Sequence, residues 1–130
     1  MVYGGTGGSA PCRNLINMAL YDELPVYKAS YDLVLEIFLF VRNFTKEFKY
    51  TIGESLKKET IELIILIYRA NIKKDKATTI QEARERIELI RLLLRLTKDL
   101  KQISLKRFVY INTKVEKVSK QLTGWQKSLK

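Results

Sequence analysis

The sequence predicts an all-α protein, an antiparallel up-down-up-down four-helix bundle, and three observations support this prediction. Apolar residues recur every three or four positions along four long segments, as they do on one face of an α-helix. Short polar connections separate the segments, and short connections join antiparallel neighbours. No proline occurs after Pro25, so no proline ring interrupts the later helices.

The 130 residues divide into a tail and one domain. Residues 1–23 include a glycine-rich run at residues 4–8, a composition typical of flexible segments, and we expect a flexible N-terminal tail. Residues 24–130 are long enough to bury an apolar core without disulfides or metal, and we assign them to the four-helix bundle.

The first two helices have recognisable starts. The first is predicted from Pro25 to about residue 46, since proline is favoured at the first helical position. The second opens at a capping box, residues 51–54, and ends near Asn71. Residues 72–78, rich in Lys and Asp, are predicted to form the longest loop of the bundle.

The last two helices also follow capping signals. A second capping box at residues 79–82 is predicted to open the third helix, which ends near Gln102. Ser104 is expected to cap the fourth helix, and Ile103 and Phe108 are placed to form a hydrophobic staple.

Each helix carries a core stripe, and several carry a second apolar face. The core stripe of helix two is formed by Ile52, Leu56, Leu63 and Ile67. That of helix three is formed by Ala83, Ile87, Ile90, Leu94 and Thr97. That of helix four is formed by Phe108, Ile111, Val115, Val118, Leu122, Trp125 and Leu129. A bundle needs one stripe per helix, so a second face predicts an interface between copies. The residues predicted to form this oligomer interface are Ile61, Ile64, Tyr68, Leu89, Leu93 and Leu96.

The charge balance predicts an anionic partner. Lys and Arg number 24 against 14 Asp and Glu, a formal net charge of +10. Nucleic acid, an acidic membrane surface or an acidic protein would each fit this excess, and a well-solvated bundle surface is the alternative. Residues 103–130 hold seven Lys and Arg side chains against one acid, Glu116.

The positive side chains are arranged on particular helix faces. Those predicted to contact the anion are Arg84, Arg91, Arg95 and Lys98 on helix three, with Lys106, Lys114, Lys117 and Lys120 on helix four. Aligned guanidinium groups suit phosphate because each can donate to two oxygens. The alternative is a solvated face with pairs between neighbouring turns, such as Glu88 with Arg84 or Arg91.

Residues that the sequence lacks bear on its chemistry and its location. It has no histidine and a single cysteine, Cys12, so histidine-dependent catalysis and Cys- or His-rich metal sites are excluded. We expect no enzymatic activity, no cofactor and no small-molecule substrate. The apolar runs at residues 33–41 and 61–68 are too short to span a bilayer, and no signal peptide is recognisable. A cytoplasmic protein without a membrane partner is the expectation.

Five segments, taken in order, resemble a known family: DELPVYK at residues 22–28, YTIGE at 50–54, IYRAN at 67–71, RLLLRL at 91–96 and LTGW at 122–125. Together they resemble the accessory variability determinants of diversity-generating retroelements, four-helix-bundle proteins whose superfamily includes those encoded by intervening sequences in 23S ribosomal RNA genes. Thr123 stands where glycine is expected, and the tail has no recognised counterpart.

The resemblance implies a basic homopentameric barrel of bundles that associates with the retroelement's reverse transcriptase. It also implies binding of the template RNA, which supports mutagenic retrohoming. By the same resemblance, Arg84, Arg91, Arg95 and Lys98 are the candidates for nucleic-acid or polymerase contact. Two alternatives stay open: a ribosomal-RNA intervening-sequence protein of unknown role, and an oligomeric scaffold without any nucleic-acid function.

Overall fold

Four long helices account for most of residues 24–129, the part of the chain that the computed structural model describes. They are α1 (Pro25–Val41), α2 (Glu54–Ile72), α3 (Lys76–Asp99) and α4 (Leu105–Ser128). The described residues contain no strand, so the predicted all-α bundle is confirmed. The tail predicted at residues 1–23 lies outside them. None of the helices between residues 24 and 129 has the length and apolar character needed to cross a membrane.

The helices are arranged in a square, with chain neighbours side by side. α1 packs mainly against α2 and α4, and α3 packs against the same two helices. Between α1 and α4, Asp32 pairs with Lys114 and Glu36 pairs with Arg107. Residue numbers rise along one helix of this pair as they fall along the other, so the two helices are antiparallel.

The predicted core stripes lie in the centre of this square. Every α2, α3 and α4 stripe residue from Leu56 to Leu122 is buried except Phe108. Phe108, Trp125 and Ile52 are partly buried and pack against the same cluster. Leu129 was predicted to continue the α4 stripe, but α4 ends at Ser128 and Leu129 is exposed.

The start of α2 differs from the prediction. α1 ends at Val41, and a short helical turn (Lys46–Phe48) and a π-helical turn (Lys49–Gly53) then run directly into α2. The hydroxyl of Thr51 donates to the carbonyl of Glu47 at 3.0 Å and caps no helix. The capping box predicted at residues 51–54 is therefore wrong, because the chain is already helical five residues earlier.

The start of α3 also differs. The loop is shorter than predicted, at residues 73–75, and α3 begins at Lys76. Thr79 lies inside the helix with 2% of its surface exposed, so the capping box predicted at residues 79–82 is wrong. The spacing of Thr79 and Glu82 fits a capping box, but Thr79 is buried in the core and therefore lies inside the helix.

The turn between α3 and α4 agrees better with the prediction. α3 ends at Asp99, and Lys101 then adopts a left-handed conformation with φ 60°, which ends the helical path. The Ser104 side chain accepts a hydrogen bond from the backbone N–H of Arg107 at 3.1 Å, so the predicted cap is confirmed. Ile103 packs against the core at this end of the bundle.

Candidate nucleic-acid interface

The outer side of α4 is a row of lysines. The core seam turns one side of α4 inward, and on the opposite side lie four exposed residues that we name the lysine face: Lys106, Lys117, Lys120 and Lys127. Within residues 24–129 none of the four forms a salt bridge. Their charges are therefore available to an anion from outside the described chain.

The acid on α4 does not neutralise this face. Glu116 is turned toward α3, where Arg91 donates to its Oε2 from Nε at 3.0 Å and from Nη2 at 2.6 Å. A carboxylate held by two guanidinium donors is well compensated. The lysine face consequently keeps its full positive charge.

We name the four positive residues predicted on α3 the arginine stripe: Arg84, Arg91, Arg95 and Lys98. Most of this stripe holds α3 against α4. Arg84 donates to the side-chain oxygen of Gln126, and Arg91 is held by Glu116 and by Glu88 on its own helix. The Lys98 ammonium lies 5.2 Å from the centre of the Phe108 ring.

Arg95 differs from the other three members of the stripe. It is exposed and has no salt bridge among the described residues. Of the four residues predicted on α3, Arg95 alone combines these two properties. The pairing of Arg91 with Glu88 agrees with the alternative of a solvated, paired helix face.

Lys114 belongs to the contact between α4 and α1. Its ammonium bonds Asp32 and lies 4.9 Å from the centre of the Tyr110 ring. The hydrogen bond with Asp32 raises the pKa of Lys114 above its ordinary value, against the opposing effect of burial. Lys114 therefore connects two helices and does not extend the lysine face.

One lysine near this face was missed at the sequence level. A groove between α1 and α4 is lined by Pro25, Lys28, Ala29, Asp32, Lys117 and Gln121. Lys28 thus lies beside the lysine face although it belongs to α1. The sequence shows Lys28 on the outside of helix one, but only the packing of α1 on α4 places it next to Lys117.

The α2–α3 loop supplies fewer available charges than its composition indicates. Lys73 and Lys74 are exposed, whereas the Lys76 ammonium donates to the carbonyls of Ala70 at 2.9 Å and Asn71 at 2.8 Å. These carbonyls belong to the last turn of α2, so Lys76 caps that helix. Burial lowers the pKa of Lys76.

The residues predicted to form an oligomer interface fall into two groups. Ile61, Tyr68, Leu89 and Leu96 are exposed large apolar residues, and Ile64 is half-buried beside α1. Leu93 is likewise partly buried, and it packs against the core. Other exposed large apolar residues lie outside the predicted set, among them Tyr31, Leu35, Leu39 and Leu92.

The exposed lysines can bind phosphate without reading bases. An ammonium group acts as a compact point charge and lacks the planar fork of arginine, so the lysine face suits the nucleic-acid backbone.

Comparison with known proteins agrees with the resemblance described above. The model of a family described as bAvd-like matches residues 25–129. No curated protein matches the chain. The match covers most of the sequence and all four helices, and the chain belongs to the bAvd-like family.

Proposed function

We propose that the protein is a non-enzymatic accessory protein of a diversity-generating retroelement, acting in the cytoplasm. It binds the template RNA and the reverse transcriptase, and it works as a homo-oligomer, with a pentamer expected from the family resemblance. Membership of the bAvd-like family supports the accessory role. The observation that carries RNA binding is the lysine face, whose charges have no acidic partner among the described residues.

The lysine face suits a single strand of RNA that runs along α4. From Lys106 to Lys120 the helix rises by about 21 Å at 1.5 Å per residue. Each ammonium that contacts a phosphate releases a condensed counterion, and this release drives binding without sequence preference. Arg95 and Lys28 flank the face on α3 and α1, and they extend the positive surface to either side.

The structure changes which side chains we expect to contact RNA. Arg84, Arg91 and Lys98 contact α4 residues, and moving Arg91 to a phosphate would leave Glu116 without its partner. The four residues of the lysine face can bind phosphate without breaking any salt bridge within residues 24–129. RNA therefore contacts α4 first, and Arg95 adjoins this contact from α3.

Binding of a labelled single-stranded RNA, followed by fluorescence anisotropy, tests this proposal. At 0.1 M salt, Lys117→Gln with Lys120→Gln should weaken the affinity by about tenfold to thirtyfold, from two lost phosphate contacts. The control, Lys46→Gln with Lys101→Gln, removes the same charge at the end of the bundle where α1 ends, and it should change the affinity much less.

A second measurement distinguishes a loss of RNA binding from a loss of association with the polymerase. Co-purification of each variant with the element's reverse transcriptase reports protein association independently of free RNA. An equal loss of RNA affinity in both variants would show that net charge alone drives binding. If the wild-type protein does not bind RNA at low salt, the alternative of an oligomeric scaffold is correct.

A further inference from the structure

A groove between α1 and α2 is lined by apolar and aromatic side chains, and we name it the α1–α2 groove. Tyr31 on α1 is 49% exposed and Tyr68 on α2 is 41% exposed. Val34, Ile64 and Ile65 line the groove between them and are half-buried. None of the described residues that line this groove is charged. An apolar surface of this kind is stabilised when another apolar group covers it.

The groove begins at the end of the bundle where α1 starts. Lys57 of α2 lies 5.4 Å from the centre of the Phe38 ring on α1, whereas Tyr68 of α2 lines the groove together with Tyr27. Residue numbers rise along α2 as they fall along α1, so the two helices are antiparallel. Tyr27 lies in the first turn of α1, which starts at Pro25. The chain therefore enters α1 beside one end of the groove.

The sequence that precedes α1 contains a segment whose chemistry matches this groove. Residues 14–21 include no charged side chain, in a protein of which 29% of the residues are charged. The glycine run at residues 4–8, from which a flexible tail was predicted, lies outside this segment. Burying a charge is costly, and neither the segment nor the groove lining carries one. The large apolar residues that the segment offers are Leu15, Ile16, Met18 and Leu20.

The segment is close enough to reach the groove of its own chain. Only residues 22–24 separate it from Pro25. At full extension, residues 14–21 can span about 26 Å, at about 3.3 Å per residue. Along α1 the groove runs from Tyr27 to Val34, about 10 Å at about 1.5 Å per residue. A chain that turns back at residues 22–24 can therefore run along the whole groove.

The short connection favours this occupant over a separate molecule. A segment joined through residues 22–24 is present at the groove at an effective concentration of about 1 mM or more. A separate molecule at about 1 μM therefore competes at a disadvantage of about a thousandfold. Even a weak contact within one chain prevails under these conditions.

We propose that residues 14–21 bind the α1–α2 groove of their own chain and cover Tyr31 and Tyr68. This inference goes beyond the proposed function, since it depends on neither RNA nor the reverse transcriptase. Ile64 and Tyr68 were predicted at the oligomer interface, and the segment would cover both. Assembly would then use the exposed remainder of that predicted set, which is Ile61, Leu89 and Leu96.

Cross-linking of two cysteines in the full chain tests this proposal. Cys12→Ser first removes the single native cysteine. In that background, Met18→Cys is combined with Tyr31→Cys, and a short bismaleimide links the two thiols. The matched control combines Met18→Cys with Lys117→Cys. Lys117 is exposed on α4 and lines a groove with Asp32, the residue after Tyr31, so the two test sites lie at a similar height on different sides of α1.

The rate and the mass of the cross-linked product decide the result. The Met18 and Tyr31 positions should link within one chain at least about tenfold faster than the Met18 and Lys117 positions. Equal rates for the two pairs, or no link within one chain, would contradict the proposal, because a segment that does not bind meets both sites alike. Products with the mass of two chains would show that the segment covers the groove of another copy, which overturns the choice of its own groove.

A second pair of variants leaves every residue of the four helices unchanged. Ile16→Asp with Leu20→Asp places charge in the segment, and Thr6→Asp with Ser9→Asp places the same charge outside it. The first variant should lower Tm and bind more of the apolar dye ANS, because the groove loses its cover. The second should match the wild type. Wild-type Tm and dye binding in the first variant would show that this segment does not cover the groove.

Discussion

Gly53 and Gly124 are both helical, but their surroundings are opposite. A Cβ atom added at Gly53 would lie 2.8 Å from Cγ1 of Val41 and 3.3 Å from the carbonyl oxygen of Phe48. Val41 is 2% exposed and belongs to the buried core. A Cβ atom added at Gly124 meets nothing within 4 Å. The π-helical turn can therefore approach α1 closely only because residue 53 is glycine.

The two glycines should respond with opposite signs to the same substitution. Gly53→Ala should lower the free energy of unfolding by about 1–2 kcal/mol, because overpacking outweighs the better helix propensity of alanine. Gly124→Ala should raise it by about 0.5–1 kcal/mol, since only the propensity changes. Urea denaturation at one protein concentration measures both. A stabilised Gly53→Ala variant would show that the turn and α1 are not in close contact.

Lys114 and Lys117 show which properties of a charged residue a single sequence can predict. Both are lysines of the same helix, less than one turn apart, and composition treats them alike. Lys114 meets Asp32, which is 82 positions away in the sequence, whereas Lys117 forms no salt bridge within residues 24–129. The sequence predicted the positive charge of α4 correctly, but only the packing of α1 distinguishes the paired lysine from the available one.

At the level of whole helices, apolar spacing predicted the core stripes well, with Leu129 as the exception. The period of the α3 and α4 stripes identified their buried residues, because a face of 3.6-residue period must turn inward in a bundle. The signals for helix starts were less reliable. Ser104 follows a genuine break in the chain and caps α4, whereas Thr51 and Thr79 have similar spacing and lie within continuous helix.

A pair of alanine substitutions tests this reading of the helix starts. Ser104→Ala should lower the free energy of unfolding by about 1 kcal/mol, because the N–H of Arg107 loses its acceptor. Thr51→Ala should cost almost nothing, or stabilise slightly, since alanine is the better helix former within a helical turn. Thermal or urea denaturation of the two variants supplies the comparison. A loss of about 1 kcal/mol for Thr51→Ala would restore the capping box at residues 51–54.

The packing of α3 against α4 also changes the role that we expect for the arginine stripe. Aligned positive residues on α3 predicted an anion-binding surface, and the contacts of Arg84, Arg91 and Lys98 with α4 were not visible in the sequence. A helical wheel shows the face of a helix but not the neighbour that covers its edge. Of the residues predicted on both helices, we therefore expect the lysines of α4, more than the arginines of α3, to contact phosphate.

In the part of the molecule that the structure describes, the lysine face lies on α4, and the exposed leucines Leu35, Leu39 and Leu92 lie on α1 and α3. An assembly that covers these leucines would leave α4 exposed on every copy. The surplus apolar surface would then serve self-association, and the net charge of +10 would serve the RNA binding that we propose.

The salt dependence of RNA affinity tests the central claim, that the lysine face binds phosphate. The logarithm of the association constant should fall linearly with the logarithm of salt concentration, by about 0.7 for each phosphate contacted on a single strand. Lys117→Gln with Lys120→Gln should flatten this slope by about 1.4, whereas Lys46→Gln with Lys101→Gln should leave it unchanged. An unchanged slope in the Lys117 and Lys120 variant, with affinity equal to that of the wild type, would contradict the account.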